Sequence, residues 1–215
     1  RLAPLSAGSV EIAGLDVTRT PSDVLARKLA ILRQDNHLPL RLTVEELVAF
    51  GRFPHSRGRL DAADRPHVER SLAWMNLTDL RQRYLDELSG GQRQRAFVAM
   101  VLCQDTDYVL LDEPLNSLDM PHAIAMMATL RRMADELGKT LVVVLHDVNI
   151  ASCYSDRIIA MRGGRIVREG RPADVITTAA LREIYDIDIP VRVIGSDRIA
   201  IYFRSTSASP SQQGL

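Results

Sequence analysis

Two acidic side chains stand next to each other at the end of an apolar run. Asp112 and Glu113 directly follow residues 108–111, which are Tyr-Val-Leu-Leu and have the composition of a buried strand. One carboxylate in this place can hold Mg²⁺ through water, because Mg²⁺ keeps much of its hydration shell. A second carboxylate can orient or deprotonate an attacking water, and neighbouring strand residues point in opposite directions, so the pair can divide the two tasks. A solvated strand end without chemistry would carry the same pair, and this alternative stays open here.

Residues 88–92 read L-S-G-G-Q and have the chemistry of a helix start that binds an anion. Ser89 and Gln92 have the spacing of a capping box, in which each side chain accepts from the other residue's backbone amide. Gly90 and Gly91 are poor helix formers, but they let a ligand come close to the backbone. A helix N-terminus with exposed amides and a hydroxyl favours phosphate. An ordinary capped helix is the alternative.

Two further polar side chains follow apolar strand patterns. Gln34 comes shortly after residues 29–32, and His146 comes directly after residues 141–145. Ligands of parallel sheets bind at the carboxyl ends of the strands, where Asp112 and Glu113 also stand. Either side chain alone could equally be structural.

The elements that would position these residues alternate between strands and helices. The patterns predict strands at 9–12, 29–32, 108–111 and 141–145, and hairpins at 157–168 and 189–203. Helices are predicted at 21–28, from the capping box Thr43/Glu46 up to Gly51, at 61–76, from Ser89 onwards, and at 121–137. This alternation predicts an α/β fold with a mainly parallel sheet, interrupted by a helical block.

The L-S-G-G-Q motif resembles the signature motif of ABC-transporter ATPases, and the other residues resemble further family motifs in the family's order. By this resemblance Asp112 is the Mg²⁺ carboxylate of a Walker B element, and Glu113 is the catalytic base. Gln34 resembles the glutamine of the Q-loop, which meets metal or water, and His146 resembles the switch histidine that contacts the γ-phosphate. Residues 116–119 resemble the D-loop, although the family often has a small residue where Asn116 stands.

The resemblance implies ATP and Mg²⁺ as cofactors and a dimer of two ATPase subunits. Each subunit would present the side chains and amides of its signature and D-loop to the nucleotide held by its partner; these residues are Ser89, Gly90, Gly91, Gln92 and Asp119. The implied fold is P-loop NTPase-like, with a RecA-like core at 1–41 and 106–203, a helical subdomain at 42–105, and a disordered tail at 204–215.

One large part of the family pattern is missing from the printed residues. The sequence contains no G-x-x-x-x-G-K-S/T motif, and its only lysines, Lys28 and Lys139, lie outside any such loop. Without this loop ATP loses its main cradle. Residues 1–8 resemble the family segment that follows this loop and its helix. We therefore expect an N-terminally truncated chain that does not bind or hydrolyse ATP well by itself.

The segment 42–60 resembles the ATPases of iron(III)-siderophore importers. In those proteins this helical region docks on the membrane permease, and the resemblance points to Phe50, Arg52, Phe53 and His55 as the permease contacts. An amphipathic helix and a turn inside the subdomain would explain these residues equally well. The partners implied are permease subunits, a second ATPase subunit and, indirectly, a substrate-binding protein, at the cytoplasmic face of the membrane.

Composition narrows the remaining classes of function. Basic and acidic residues number 27 each, so nothing favours nucleic-acid binding. No apolar run reaches the length of a membrane span, which predicts a soluble, cytosolic chain that reaches the membrane through a partner. Cys103 and Cys153 both lie in apolar patterns and are predicted to be buried free thiols. The alternatives are a soluble ABC ATPase of translation or DNA repair, and a truncated cassette that acts only as a binding module.

Overall fold

The computed structural model describes residues 5–34, 40–116 and 118–202. It divides into two compact units, residues 1–145 and residues 146–215, which are described separately below. The predicted tail at 204–215 lies outside the described residues. Among the helices of the described ranges, none is both long enough and apolar enough to cross a membrane.

The first unit is built on a three-stranded parallel sheet in the order β3-β4-β5. Its strands are β3 (Leu29–Leu32), β4 (Tyr108–Asp112) and β5 (Thr140–Val144). Leu32 pairs with Leu111, so β3 and β4 end at the same edge of the sheet. The predictions of these strands are confirmed, with β4 longer by one residue and β5 displaced by one residue.

The chain enters this sheet through short elements. The strands β1 (Glu11–Ile12) and β2 (Leu15–Asp16) form an antiparallel hairpin, and the helix α1 (Ser22–Leu25) follows. The helix predicted at 21–28 is thus a single turn. None of its residues is buried, so no packing contact stabilises a helix longer than this turn.

A block of helices separates β3 from β4, as predicted. Its helices are α2 (Val44–Phe50), α3 (Phe53–Ser56), α4 (Arg65–Trp74) and α5 (Gly90–Cys103). The capping boxes predicted for α2 and α5 are both present. Helix α4 is shorter than the predicted 61–76. The helical block and the sheet belong to the same compact unit, residues 1–145. The boundaries of a separate helical subdomain at residues 42 and 105 stay a prediction.

Gly51 fixes how closely α2 and α5 can approach each other. A Cβ at this position would lie 2.1 Å from the backbone oxygen of Met100. Gly51 therefore has a packing role, since real Cβ atoms do not approach a backbone oxygen this closely.

The long helix of the first unit is α6 (Met120–Leu137). Asp119 caps its start by accepting from the amide of His122, and Gly138 ends it in the left-handed conformation with φ 62°. The sequence predicted both ends of this helix, because a proline at the first turn and a glycine after the last are local signals.

The described part of the second unit, residues 146–202, contains two antiparallel hairpins and three helices. The hairpins are β6 (Ile158–Arg162) with β7 (Arg165–Gly170), and β8 (Val191–Ile194) with β9 (Asp197–Ala200); the helices are α7 (Val148–Tyr154), α8 (Pro172–Val175) and α9 (Thr178–Tyr185). Both hairpins were predicted, whereas α8 and α9 were not.

Val175, Ile176 and Leu181 form the centre of this unit's core. The side chain of Asn149 binds both the amide and the carbonyl of Ala200, which joins α7 to β9.

The two cysteines differ in their exposure. Cys103 is a buried free thiol, as predicted, and burial raises the pKa of its thiol to about 11. Cys153 is also a free thiol, but it is exposed, so the prediction of burial was wrong at this residue. Helix α7 buries only Ser152 among its residues, and Cys153 lies one position further around the helix, away from this buried contact.

Candidate functional site

The carboxyl ends of β3 and β4 bring together three side chains. The amide nitrogen Nε2 of Gln34 donates to Oε2 of Glu113 over 2.7 Å, and Nδ2 of Asn116 donates to the same oxygen over 2.5 Å. Gln34 and Glu113 were both predicted as site residues, and the parallel register explains why they meet. The contact of Asn116 was not predicted, although a residue three positions after a carboxylate can reach back to it within a turn.

Glu113 has an unusual backbone conformation. Its φ is 50°, in the left-handed region that non-glycine residues rarely occupy. Strain of this kind costs on the order of 1–3 kcal/mol and persists only where the surroundings hold it. The backbone amide of Asn116 donates to the carbonyl of Glu113 over 3.2 Å, which closes the turn after β4.

Asp112 is the last residue of β4, and its side chain is exposed. Carboxylate oxygens are the ligands that Mg²⁺ prefers, so the donor chemistry at this strand end suits the predicted ion. No group of three or more His, Cys, Asp or Glu side chains that could hold a metal occurs in ranges 5–34, 40–116 and 118–202. Mg²⁺ in proteins commonly takes several of its oxygens from water and phosphate, so one carboxylate can be enough to hold it.

The L-S-G-G-Q stretch forms the start of α5. Oγ of Ser89 accepts from the amide of Gln92, and Oε1 of Gln92 accepts from the amide of Ser89. The side-chain oxygens of both residues therefore serve the capping box. The amides of Gly90 and Gly91 belong to the first turn and have no acceptor within the helix, and the Ser89 hydroxyl keeps its proton for donation. This donor set suits a phosphate.

Gly91 also has a structural role that the sequence did not reveal. A Cβ at this position would lie 3.1 Å from Cδ2 of Leu118. Gly91 therefore lets the segment between β4 and α6 come close to the start of α5. The two glycines predicted that a ligand comes close to the backbone. At Gly91 the group that comes close is the side chain of Leu118 from the same chain.

Asp119, predicted to contact nucleotide, is the N-cap of α6. Its carboxylate accepts from both the backbone amide and the ring Nδ1 of His122. These hydrogen bonds, the one from the ring first, lower the pKa of the Asp119 carboxyl. The side chain is exposed, and its contact with nucleotide stays a prediction.

His146 is the first residue of the second unit, and its side chain is exposed. The next residue, Asp147, caps α7 by accepting from the amides of Asn149 and Ile150. The role of His146 at the γ-phosphate stays a prediction.

The four predicted permease contacts fall into two groups. Phe50 and Phe53 are 48% and 57% exposed, and His55 is exposed with its Nε2 3.0 Å from the carbonyl oxygen of Gln104. Arg52 is only 6% exposed, and Nε donates to Oδ1 of buried Asp64 over 2.8 Å.

The burial of Arg52 in this structure argues against a permease contact for this residue. Its guanidinium also donates to the carbonyl of Cys103, so it joins the turn after α2 to the end of α5. A charge is buried only when it is paired and hydrogen-bonded, and Arg52 satisfies both conditions inside the protein.

The helical block contains a cleft of about 610 Å³ between α2 and α4. Arg81 lies at this cleft and donates two hydrogen bonds to Glu45 and two to Glu69. The lining residues, all from the described part of the chain, include none that was predicted for nucleotide chemistry. This cleft is therefore separate from the candidate site at the sheet edge.

The fold is of the α/β class, with a parallel sheet and a helical block inserted between two of its strands. A model of the ABC transporter family matches residues 1–116. The petrobactin import ATP-binding protein YclP of Bacillus subtilis (strain 168) is 51% identical over 203 residues, which cover 94% of this chain and 81% of that protein. The petrobactin import ATP-binding protein FatE of Bacillus anthracis is 48% identical over 202 residues, with the same two shares.

A solved structure adds to this similarity. The dimeric ATP-binding cassette MJ0796, in a post-hydrolysis state bound to ADP and Pi, is 30% identical, with a TM-score of 0.67 over 78% of this chain and 74% of the other. The chain belongs to the ABC transporter family, in which it is an ATP-binding cassette.

Proposed function

We propose that this chain is the ATP-binding and ATP-hydrolysing subunit of an importer that powers the uptake of an iron(III)-siderophore. The observation that supports this most strongly is its 51% identity to a petrobactin import ATP-binding protein over 94% of the chain. The hydrogen-bonded Gln34 and Glu113 at the sheet edge supply a candidate centre for hydrolysis.

The proposed division of tasks follows from the chemistry of each side chain. Asp112 would hold Mg²⁺, which would supply positive charge to neutralise the phosphates. Glu113 accepts a proton from the attacking water, and Gln34 orients the Glu113 carboxylate through their hydrogen bond. His146 is proposed to donate to the γ-phosphate.

The start of α5 is proposed to serve a nucleotide that is held by a second copy of this chain. Its Gly90 and Gly91 amides and the Ser89 hydroxyl supply donors for one side of a phosphate group, and Gln92 holds Ser89 in place through the capping box. Asp119 is proposed to lie at the same contact between the two copies. A phosphate site of this kind is incomplete in one chain, which explains a requirement for a dimer.

The permease is proposed to contact Phe50, Phe53 and His55, without Arg52. Exposed aromatic side chains contribute strongly to protein interfaces when a partner covers them. This contact would hold the cassette at the cytoplasmic face of the membrane and couple it indirectly to a substrate-binding protein.

We also propose that these 215 residues do not hydrolyse ATP alone. They lack the motif G-x-x-x-x-G-K-S/T, whose amides and lysine cradle the phosphates. The second candidate function, a cassette that acts only as a binding module, rests on this same observation. An ATPase assay on the protein purified from its source decides between the two, because only a catalytic subunit hydrolyses ATP.

The test is siderophore-dependent iron uptake in the source organism. Deletion of the gene should abolish ⁵⁵Fe uptake from one siderophore, and the intact gene should restore it, whereas the gene with Glu113→Gln should not. Petrobactin is the first siderophore to test, because both relatives described above carry its name. Unchanged uptake of every siderophore after deletion would reject the proposal.

A further inference from the structure

Two amide side chains hold one oxygen of the Glu113 carboxylate. The donors are Nε2 of Gln34 at 2.7 Å and Nδ2 of Asn116 at 2.5 Å, and both reach Oε2. They come from different parts of the fold, because Gln34 follows β3 and Asn116 belongs to the turn after β4. We infer that Asn116 is a positioning residue that fixes the carboxylate of Glu113 for its reaction.

The geometry of the turn supports this inference independently of the side-chain contact. The amide of Asn116 donates to the carbonyl of Glu113 over 3.2 Å, while Glu113 itself has a φ of 50°. This turn places the Asn116 side chain beside the carboxylate of Glu113. Backbone and side chain of Asn116 thus hold the same strained residue in one orientation.

The two donors restrict the carboxylate in a way that one donor cannot. A single hydrogen bond leaves the carboxylate free to swing about the donor, whereas two donors from separate elements define its direction. Both amides lack a charge, so they orient the carboxylate without the full neutralisation that an arginine or lysine would give. A base needs a fixed direction towards its proton, because misplacement by about 1 Å can cost much of its effect.

This inference rests on the proposed function, in which Glu113 accepts a proton from water. Asn116 acts through Glu113 and is not assigned any contact with nucleotide or Mg²⁺. Its substitution should therefore change the rate of the chemical step and leave the binding of ATP unchanged.

Asn116→Asp is the sharpest variant, since it keeps the shape and replaces the donor by a second carboxylate beside Glu113. In the assembled transporter its kcat for ATP should fall about three- to tenfold, with an unchanged KM, because a hydrogen bond to a charged group is replaced by repulsion. Asn116→Ser, which cannot reach Oε2, should show a smaller fall in kcat, and it serves as the second variant if Asn116→Asp does not fold.

Gln82→Glu is the matched control. Nε2 of Gln82 donates to Oε2 of Glu45 over 2.9 Å, so this variant makes the same exchange of an amide for a carboxylate within the helical block. Its kcat and KM should remain those of the unmodified protein. A fall in kcat equal to that of Asn116→Asp would overturn the inference, since any such exchange would then slow the enzyme.

Two further measurements separate positioning from a general loss of structure. In a double-mutant cycle, Asn116→Asp should lower the rate of the unmodified protein but not the residual rate of Glu113→Gln, which has no carboxylate to position. In ¹⁵N NMR spectra of the complete ATPase subunit without nucleotide, Glu113→Gln should shift the side-chain amide signals of Asn116 and leave those of Gln82 in place.

The NMR result is independent of transport, so failure of the inference can be told from failure of the proposed function. Shifted Asn116 signals in a protein without ATPase activity would reject the proposed function and with it the role of Asn116 in hydrolysis. An active protein in which Asn116→Asp has normal kcat, or in which the Asn116 signals ignore Glu113→Gln, would overturn the inference alone.

Discussion

Gln34 and Glu113 are joined by a hydrogen bond of 2.7 Å although 79 positions separate them in the chain. Gln34 stands where the chain leaves β3, and Glu113 stands where it leaves β4. The whole helical block is inserted between these strands. One side-chain contact therefore ties the beginning of the insertion to the strand that follows it, at the edge of the sheet where ligands of parallel sheets bind.

The first prediction concerns Glu113. In the assembled transporter, Glu113→Gln should bind ATP with unchanged affinity and lose turnover by about 10²–10⁴-fold, because glutamine keeps the size of glutamate but cannot accept the proton. ATP binding by equilibrium titration and phosphate release measure the two effects. Glu136→Gln, on the exposed surface of α6, is the control and should behave normally. Normal hydrolysis by Glu113→Gln would refute the assignment of the base.

The second prediction separates the two capping boxes. Ser89→Ala and Thr43→Ala each remove an N-cap hydrogen bond and should each lower the free energy of unfolding by about 1 kcal/mol. Only Ser89→Ala should also reduce ATP hydrolysis, since only Ser89 is proposed to meet phosphate. Urea unfolding and ATPase assays on both variants test this. Equal activities would leave Ser89 with a capping role only.

The third prediction concerns the buried pair Arg52 and Asp64. Arg52→Met should lower the free energy of unfolding by about 3–5 kcal/mol, because it leaves the carboxylate of Asp64 buried without its partner. Adding Asp64→Leu should recover much of the lost free energy of unfolding.

Phe53→Ser, at an exposed position, should change the free energy of unfolding by less than about 0.5 kcal/mol but reduce transport. Denaturation and uptake assays together test both roles, and a stable Arg52→Met with impaired transport would return Arg52 to the permease surface.

The fourth prediction concerns Gly51. Alanine in a helical conformation normally stabilises by about 0.4–1 kcal/mol through the unfolded state. At Gly51 its Cβ would lie 2.1 Å from the Met100 oxygen, so Gly51→Ala should instead destabilise by about 1–3 kcal/mol. Gly91→Ala is the comparison, because its nearest neighbour is the movable end of Leu118 at 3.1 Å, and it should cost less stability. Thermal unfolding that ranks the two variants in the opposite order would contradict the packing argument.

The fifth prediction concerns pH. Partial burial acts to raise the pKa of the Asp105 carboxyl, but the hydrogen bond and charge of Lys139, with Arg70 and His67 nearby, outweigh it and hold the pKa below its ordinary value of 3.8. A lowered folded-state pKa contributes stability above the unfolded pKa, and this contribution is lost as the pH falls through the folded value.

Asp105→Asn should therefore lower the melting temperature at pH 7, and the difference from the unmodified protein should shrink as the pH is lowered below about 4. Asp188→Asn, which breaks an exposed ion pair with Arg182, should change the melting temperature little at any pH. A difference that grows at acid pH would show that the stabilising state of Asp105 is the protonated one.

The sequence by itself determined most of the local structure. The strand β3, the capping boxes of α2 and α5, and both ends of α6 follow from neighbouring residues, because caps and apolar runs act over a few positions. The order of the chemistry-bearing residues also indicated the family before any contact was known. The helices α3, α8 and α9 were missed.

Only the tertiary structure decided which partner each of several side chains would find. The resemblance pointed to Arg52 as a surface contact, whereas the fold buries it against Asp64. Cys153 lies in an apolar pattern yet is exposed. Asn116 reaches Oε2 of Glu113 from within its own turn. The contact of Gln34 with the same oxygen depends on the parallel register of β3 and β4, because contacts between residues far apart in the chain are set by packing and not by local sequence.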